Sequence, residues 1–139
     1  MATALPDTIA DLVRQFRGRT SRLLLCGAPG TDRVTPCGLL AGHLAGSGSE
    51  ILCLAADTAL PVFGAPGALS LARWGEEGWM PMAMQPLCTL DPDRFRLPLI
   101  EAAAALLQRA PTGTLLVQAP GLGGGAAGDE LLGALARVA

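Results

Sequence analysis

The sequence predicts an α/β domain built on a short, mostly parallel sheet flanked by helices. Three apolar runs, "RLLLCG", "EILCLAAD" and "GTLLVQAP", read as buried strands. Helical segments separate them, and a strand–helix–strand order with a crossover of this length implies parallel pairing. The first run also passes through a glycine-rich turn, "CGAPGTDRVTPCG", directly into a helix. At 139 residues, half of them hydrophobic, the chain can bury one core but not two, so residues 1–139 read as a single domain.

The elements follow in order. Asp7 can cap a first helix in which Ile9, Leu12, Val13 and Phe16 recur at helical spacing, with Asp11, Arg14 and Arg17 on another face. "RLLLCG" is the first strand, and a helix is expected from about 35 to 45, with Pro36 tolerated in its first turn and "SGS" ending it. "EILCLAAD" is the second strand, and "TALPVFGAPG" an irregular exit from it. Residues 68 to 74 are expected to form a short helix, and the proline-broken stretch after them to include an extended segment. "RFRLPLIEAAAALLQRA" reads as a helix, "GTLLVQAP" as the third strand, "GLGGG" as a flexible turn and "GDELLGALARVA" as the start of a last helix.

Composition excludes several classes. A net charge of −2 gives neither a nucleic-acid footprint nor a basic membrane-binding face. No continuous apolar run approaches the ~20 residues of a bilayer crossing, and charges interrupt the N-terminus where a signal peptide would be apolar, so a cytoplasmic protein without membrane insertion is expected. The cysteines, Cys26, Cys37, Cys53 and Cys88, form no CxxC pair, and His43 is the only histidine, so reduced thiols are expected and no metal site. All ten cationic residues are arginine. There is also no tyrosine.

The turn has the outline of a phosphate-binding loop, in which backbone N–H groups at a helix start converge on an anion. Its glycines are Gly27 and Gly30, with Pro29 between them, and Thr35 is the candidate hydroxyl. Asp32 and Arg33 occupy the positions of the last glycine and the lysine in a full motif. Asp32 places negative charge beside a prospective polyphosphate, and the broad fork of Arg33 cannot fill the space of a compact ammonium. Three readings stay open on this chemistry: a nucleotide site, an altered anion site, and a strand-to-helix turn without ligand.

The order of these features resembles the deviant phosphate-loop ATPases that include MinD and ParA proteins, and particularly the bacterial tyrosine kinases of polysaccharide export. Their loop typically reads "SxSPGEGKST"; here "CGAPGTDRVT" retains Pro29, Gly30 and Thr35 in register. "ILCLAADTALP" resembles "VLLIDADLRRP", with Ala55 for the first acidic residue while Asp57 and Pro61 are retained. "GALSLARWGEE" resembles "GLSDVLxGE", and "GTLLVQAPGLG" resembles "DLVIIDTPPxL", with Gln118 for the aspartate that organises magnesium and water. "DLVRQFR", carrying Asp11, Arg14 and Arg17, resembles the subunit-contact motif "ExxRxxR".

The resemblance implies a three-layer phosphate-loop-like domain over about residues 8 to 139, ending early enough to suggest a minimal or truncated version. Each departure falls on chemistry: lysine, loop glycine, first acidic residue and magnesium aspartate are all replaced. Phosphoryl transfer rests on positioning and charge neutralisation by those groups. The implied function is therefore a non-catalytic pseudo-ATPase or pseudokinase, an assembly or regulatory protein in polysaccharide synthesis or export, with no cofactor. Its partner would be another protein or a second copy, with association with a membrane protein compatible with that role. The degenerate nucleotide site would comprise Gly27, Pro29, Gly30, Asp32, Arg33, Thr35 and Asp57, and the partner contact Asp11, Arg14 and Arg17. One alternative is an ATPase that binds ATP or ADP with magnesium, Arg33 serving for lysine. The other is a protein-binding module unrelated to nucleotide, using the first helix or the segment with Trp74, Trp79, Met80, Met82 and Met84.

Overall fold

A computed structural model describes residues 7–139, the side chain of Ser47 excepted. The order is α1 (Asp7–Phe16), β1 (Arg22–Leu25), α2 (Val34–Leu44), a single 3-10 turn (Ala45–Ser47), β2 (Ile51–Ala55), β3 (Ala68–Gly75), β4 (Gly78–Pro86), α3 (Arg96–Leu107), β5 (Thr114–Gln118) and α4 (Ala126–Val138). The strands form one sheet in the order β1-β5-β2-β3-β4. β1, β5 and β2 are parallel, whereas β3 and β4 add antiparallel to the side of β2. The sheet is thus mixed: the parallel half matches the sequence expectation, β4 is the extended segment expected in the proline-broken stretch, and β3, its hairpin partner, is not the expected helix.

That hairpin corrects the expectation of a helix over residues 68 to 74, which form β3. Ala, Leu and Arg there are good helix formers, but the helical preference of each residue is worth only tenths of a kcal/mol. Pairing with β2 and burial of Leu69 and Leu71 outweigh it. The overlooked signal is "GEEG", a two-residue connection bracketed by glycines, with Gly78 at φ +104. β4 ends the sheet, so the N–H groups missing at Pro81 and Pro86 do not interrupt a central ladder. Leu71 opposes Ala83 while Ala72 opposes Pro81, leaving Met82 as a bulge.

Strand alternation divides the apolar side chains into two clusters. Leu52, Leu54, Leu115 and Val117 join leucines of α3 and α4, while Ile51, Cys53 and Leu116 join Ile9 and Val13 of α1 and Cys37, Leu40 and Leu44 of α2. β2 and β5, central and buried on both faces, are the apolar runs that made the fold class legible. α2 starts close to its expected position, and its 3-10 extension stops at Gly48, whose φ of +86 favours a residue without Cβ. "LDPDR" forms a turn before α3: Asp91 Oδ1 accepts the N–H groups of Asp93 at 3.1 Å and Arg94 at 3.3 Å, and the helix begins at Arg96. No helix among the described residues is long and apolar enough to cross a membrane.

Candidate functional site

Leu25, Gln118 and Ala55 are register partners, so the three parallel strands end side by side. The loops that leave them, 26–33, 56–67 and 119–125, therefore converge, as ligand-binding loops do at the carboxyl edge of parallel sheets. The loop after β1 makes a tight turn in which Thr31 N–H donates to Ala28 O at 3.1 Å. Gly30 has φ +84, so its place in that turn is one that favours glycine.

Arg33 occupies the centre. It is 6% exposed; its Nε donates to Ala119 O at 3.1 Å, its Nη1 to Ala28 O and Thr31 O at 3.1 Å each, and its Nη2 to Asp57 Oδ2 at 2.9 Å. The polarity is therefore the reverse of a phosphate cradle. There, N–H groups converge on an anion. Here, backbone carbonyls and a carboxylate converge on a guanidinium, whose planar fork can serve several acceptors at once.

The surroundings fit this arrangement. A Cβ on Gly121 would lie 2.8 Å from Arg33 Nη2 and 3.1 Å from Pro29 Cα, so close approach requires glycine. Leu122 N–H donates to Gly27 O at 3.3 Å, a second tie between the first and last loops. Asp57 uses both oxygens: Oδ2 accepts from Arg33, and Oδ1 accepts from the N–H groups of Ala59 at 3.1 Å and Leu60 at 3.2 Å. Gln118, also buried, fastens the same segment, donating from Nε2 to Leu60 O at 2.8 Å and accepting Val62 N–H at Oε1 at 2.9 Å. The Thr58 hydroxyl next to Asp57 is buried without a hydrogen-bond partner.

The start of α2 is also occupied from within. Asp32 Oδ1 accepts the N–H groups of Val34 at 2.9 Å and Thr35 at 3.1 Å, satisfying donors that a helix leaves free at its N-terminus. The Thr35 hydroxyl first, then the Thr35 N–H, hold the Asp32 carboxyl below its usual pKa. Of the nucleotide-site residues named from sequence, the fold brings Gly27, Pro29, Gly30, Asp32, Arg33, Thr35 and Asp57 to one end of the sheet. Arg33 bonds Asp57 and Thr35 bonds Asp32, and the other hydrogen bonds of Arg33, Asp57 and Asp32 go to neighbouring loop and helix backbone. Sequence reasoning missed the contributions of Ala119 and Gly121; "APGLG" carries the glycine, but only the neighbouring arginine explains it.

Asp11, Arg14 and Arg17 lie elsewhere, on and just after α1. Arg14 pairs with Asp11 on the surface, and Arg17 Nη2 donates to His43 O at 3.3 Å, in the last turn of α2. His43 itself is exposed, with Nδ1 2.9 Å from Leu39 O. Trp79 makes ring contacts with Trp74, at 4.8 Å between centroids, and with Phe63 at 5.4 Å. Met80, Met82 and Met84 are exposed along β4.

The buried strand expected over "RLLLCG" stops short of Cys26, which is exposed, one position beyond β1. Cys37 is buried against Cys53, and burial, then the Cys37 thiol, push the Cys53 thiol up. No group of three or more His, Cys, Asp and Glu side chains suited to a metal ion occurs among the described residues. A cavity of about 460 Å³ lies at the other end of the sheet, lined in part by Arg22, Leu52, Leu107, Leu115 and Val138. Neither a protein-family model nor a curated protein matches the chain.

Proposed function

We propose that this domain is a phosphate-loop-like, three-layer α/β unit without nucleotide chemistry, acting as a non-catalytic assembly or regulatory protein. The observation that carries the reading is the inverted polarity at Arg33: four acceptors face inward, and the guanidinium they hold is neutralised by Asp57. An incoming phosphate would meet carbonyl dipoles and the Asp32 carboxylate. It would also have to displace a buried ion pair, an expensive exchange once both charges are desolvated. Polysaccharide synthesis or export is the setting that the resemblance supplies.

The same network makes the three loops a pre-set surface. Arg33 joins all three and Gln118 fastens the second, so this end of the sheet is organised without ligand. Rigid loops lose little entropy on contact with a protein partner. Leu60 and Val34, exposed at this end, supply apolar contact area.

Titration calorimetry with magnesium-ATP and magnesium-ADP tests the proposal. Neither nucleotide is expected to give saturable heat at millimolar concentration. Tight, magnesium-dependent binding that disappears in Arg33→Ala would overturn it in favour of an ATPase that uses arginine for lysine.

A further inference from the structure

The β3–β4 hairpin carries an apolar row on the outermost strand, next to two unpaired carboxylates. On β3, Ser70, Ala72 and Trp74 alternate onto one face, the face on which Cys53, the partner of Ala72, packs with α2. Their partners on β4 are Met84, Pro81 and Trp79, and the bulge at Met82 keeps Met84 in phase with the other two. α2 reaches Trp74, whose ring lies 3.6 Å from where a Cβ on Gly42 would stand. Trp79 is half-buried against Trp74 and Phe63, Pro81 is exposed, and Met84 is 53% exposed. Just beyond the Trp74–Trp79 pair, Glu76 and Glu77 form the two-residue turn. Both are exposed, and neither carboxylate makes an ion pair or hydrogen bond among the described residues. Arg73, the nearest cation along the chain, pairs with Glu50 at 3.7 Å.

We propose that this row is a docking site for an arginine-flanked, proline-rich segment of another protein. Charge selects the arginine: a guanidinium can stack on the Trp79 indole while its planar fork reaches a turn carboxylate. The same carboxylates repel an anionic membrane surface or a nucleic acid, the other ligands that indoles could meet. Backbone chemistry selects the proline-rich segment. Pro81 and Pro86 supply no N–H, so an added strand would find an interrupted ladder. A polyproline II segment needs no ladder, because its backbone stays solvated and it docks through its side chains on aromatic surfaces. A single row on one strand is also narrower than the ~10 Å body of a helix, which favours a slender ligand. From Trp79 to Met84 the row runs roughly 15 Å at ~3.3 Å per residue. About five residues of polyproline II, at ~3.1 Å each, span that length.

The turn lies at the opposite end of the sheet from the three loops: Ser70 pairs with Ala55, at the loop end, and Arg73 with Leu52. α4 packs on the other face of the sheet, and α1 approaches the turn's end of the molecule with its last residues, Arg17 bonding His43 O. The docking site is thus separate from the Arg33 clamp, and the inference does not depend on whether the loops bind nucleotide.

Trp74 and Trp79 are the only tryptophans of the chain, so intrinsic emission reads this site directly. Titration with a synthetic acetyl-RPPLPP-amide peptide should shift the emission saturably, with half-saturation between about 10 μM and 1 mM. Glu76→Gln with Glu77→Gln changes only exposed turn positions and should weaken binding about threefold or more, removing most of its salt dependence. Met84→Lys, at an exposed position of the row, should weaken it by a similar factor. Acetyl-EPPLPP-amide and acetyl-RAALAA-amide should each bind at least about threefold more weakly than the first peptide. Absence of a saturable shift overturns the proposal. So does equal binding of the three peptides, indifference to both sets of substitutions, or a shift produced by phosphatidylglycerol vesicles and not by the peptide.

Discussion

Arg33, just before α2, and Asp57, just after β2, form a buried ion pair 2.9 Å apart that joins two loops of the parallel half-sheet. The remaining donors of the arginine reach Ala28, Thr31 and Ala119, bringing in the third loop. A residue placed by sequence in the lysine position of a phosphate loop is thus the internal clamp of the site.

Breaking the clamp on one side should be costly. Arg33→Met leaves Asp57 buried without its cation and should destabilise the fold by about 3 to 5 kcal/mol in urea denaturation. Arg33→Met with Asp57→Leu removes both charges and should recover part of that loss, since the backbone groups the pair served lose their partners in both variants. If the single substitution costs less than about 1 kcal/mol, the pair is not the clamp described.

Asp32 should make the start of α2 sensitive to acid. Its folded-state pKa lies below its ordinary value, so the stability it contributes is present above that ordinary value, near 3.8, and is lost as pH falls through the lower folded value. Carboxyl NMR should place the Asp32 midpoint below those of unshifted aspartates. Asp32→Asn keeps a capping oxygen and should flatten the acid limb of the stability profile.

Gln118 should govern the mobility of residues 60 to 62. Gln118→Leu matches its bulk but strips partners from Leu60 C=O and Val62 N–H. A cost of about 1 to 3 kcal/mol is expected, with hydrogen exchange accelerated at Val62 more than at Val117 in the core. Equal acceleration at both amides would indicate general loosening instead.

The thiols should separate into two classes. Cys26 and Cys88 are exposed and should react with an aromatic disulfide reagent in the native protein, whereas Cys37 and Cys53 should react only on unfolding. Fast labelling of all four without denaturant would contradict the buried Cys37–Cys53 contact.

By itself the sequence determined the fold class and the position of the loop. β1, β2 and β5 are short apolar runs punctuated by glycine, and that pattern is local, so it can be read along the chain. The sequence also singled out Arg33 as a departure and Asp57 as a retained acidic residue. What it left hidden depends on residues far apart: β3 becomes a strand, paired with β2 and β4, through pairing and a "GEEG" turn that outweigh helical preference. Only the tertiary structure decided what Arg33 does. The direction of a carbonyl dipole and the close approach of Gly121 are set by three loops meeting, and no stretch of one loop encodes them. It likewise decided the strand order, with β5 between β1 and β2, because that order is a property of the whole sheet.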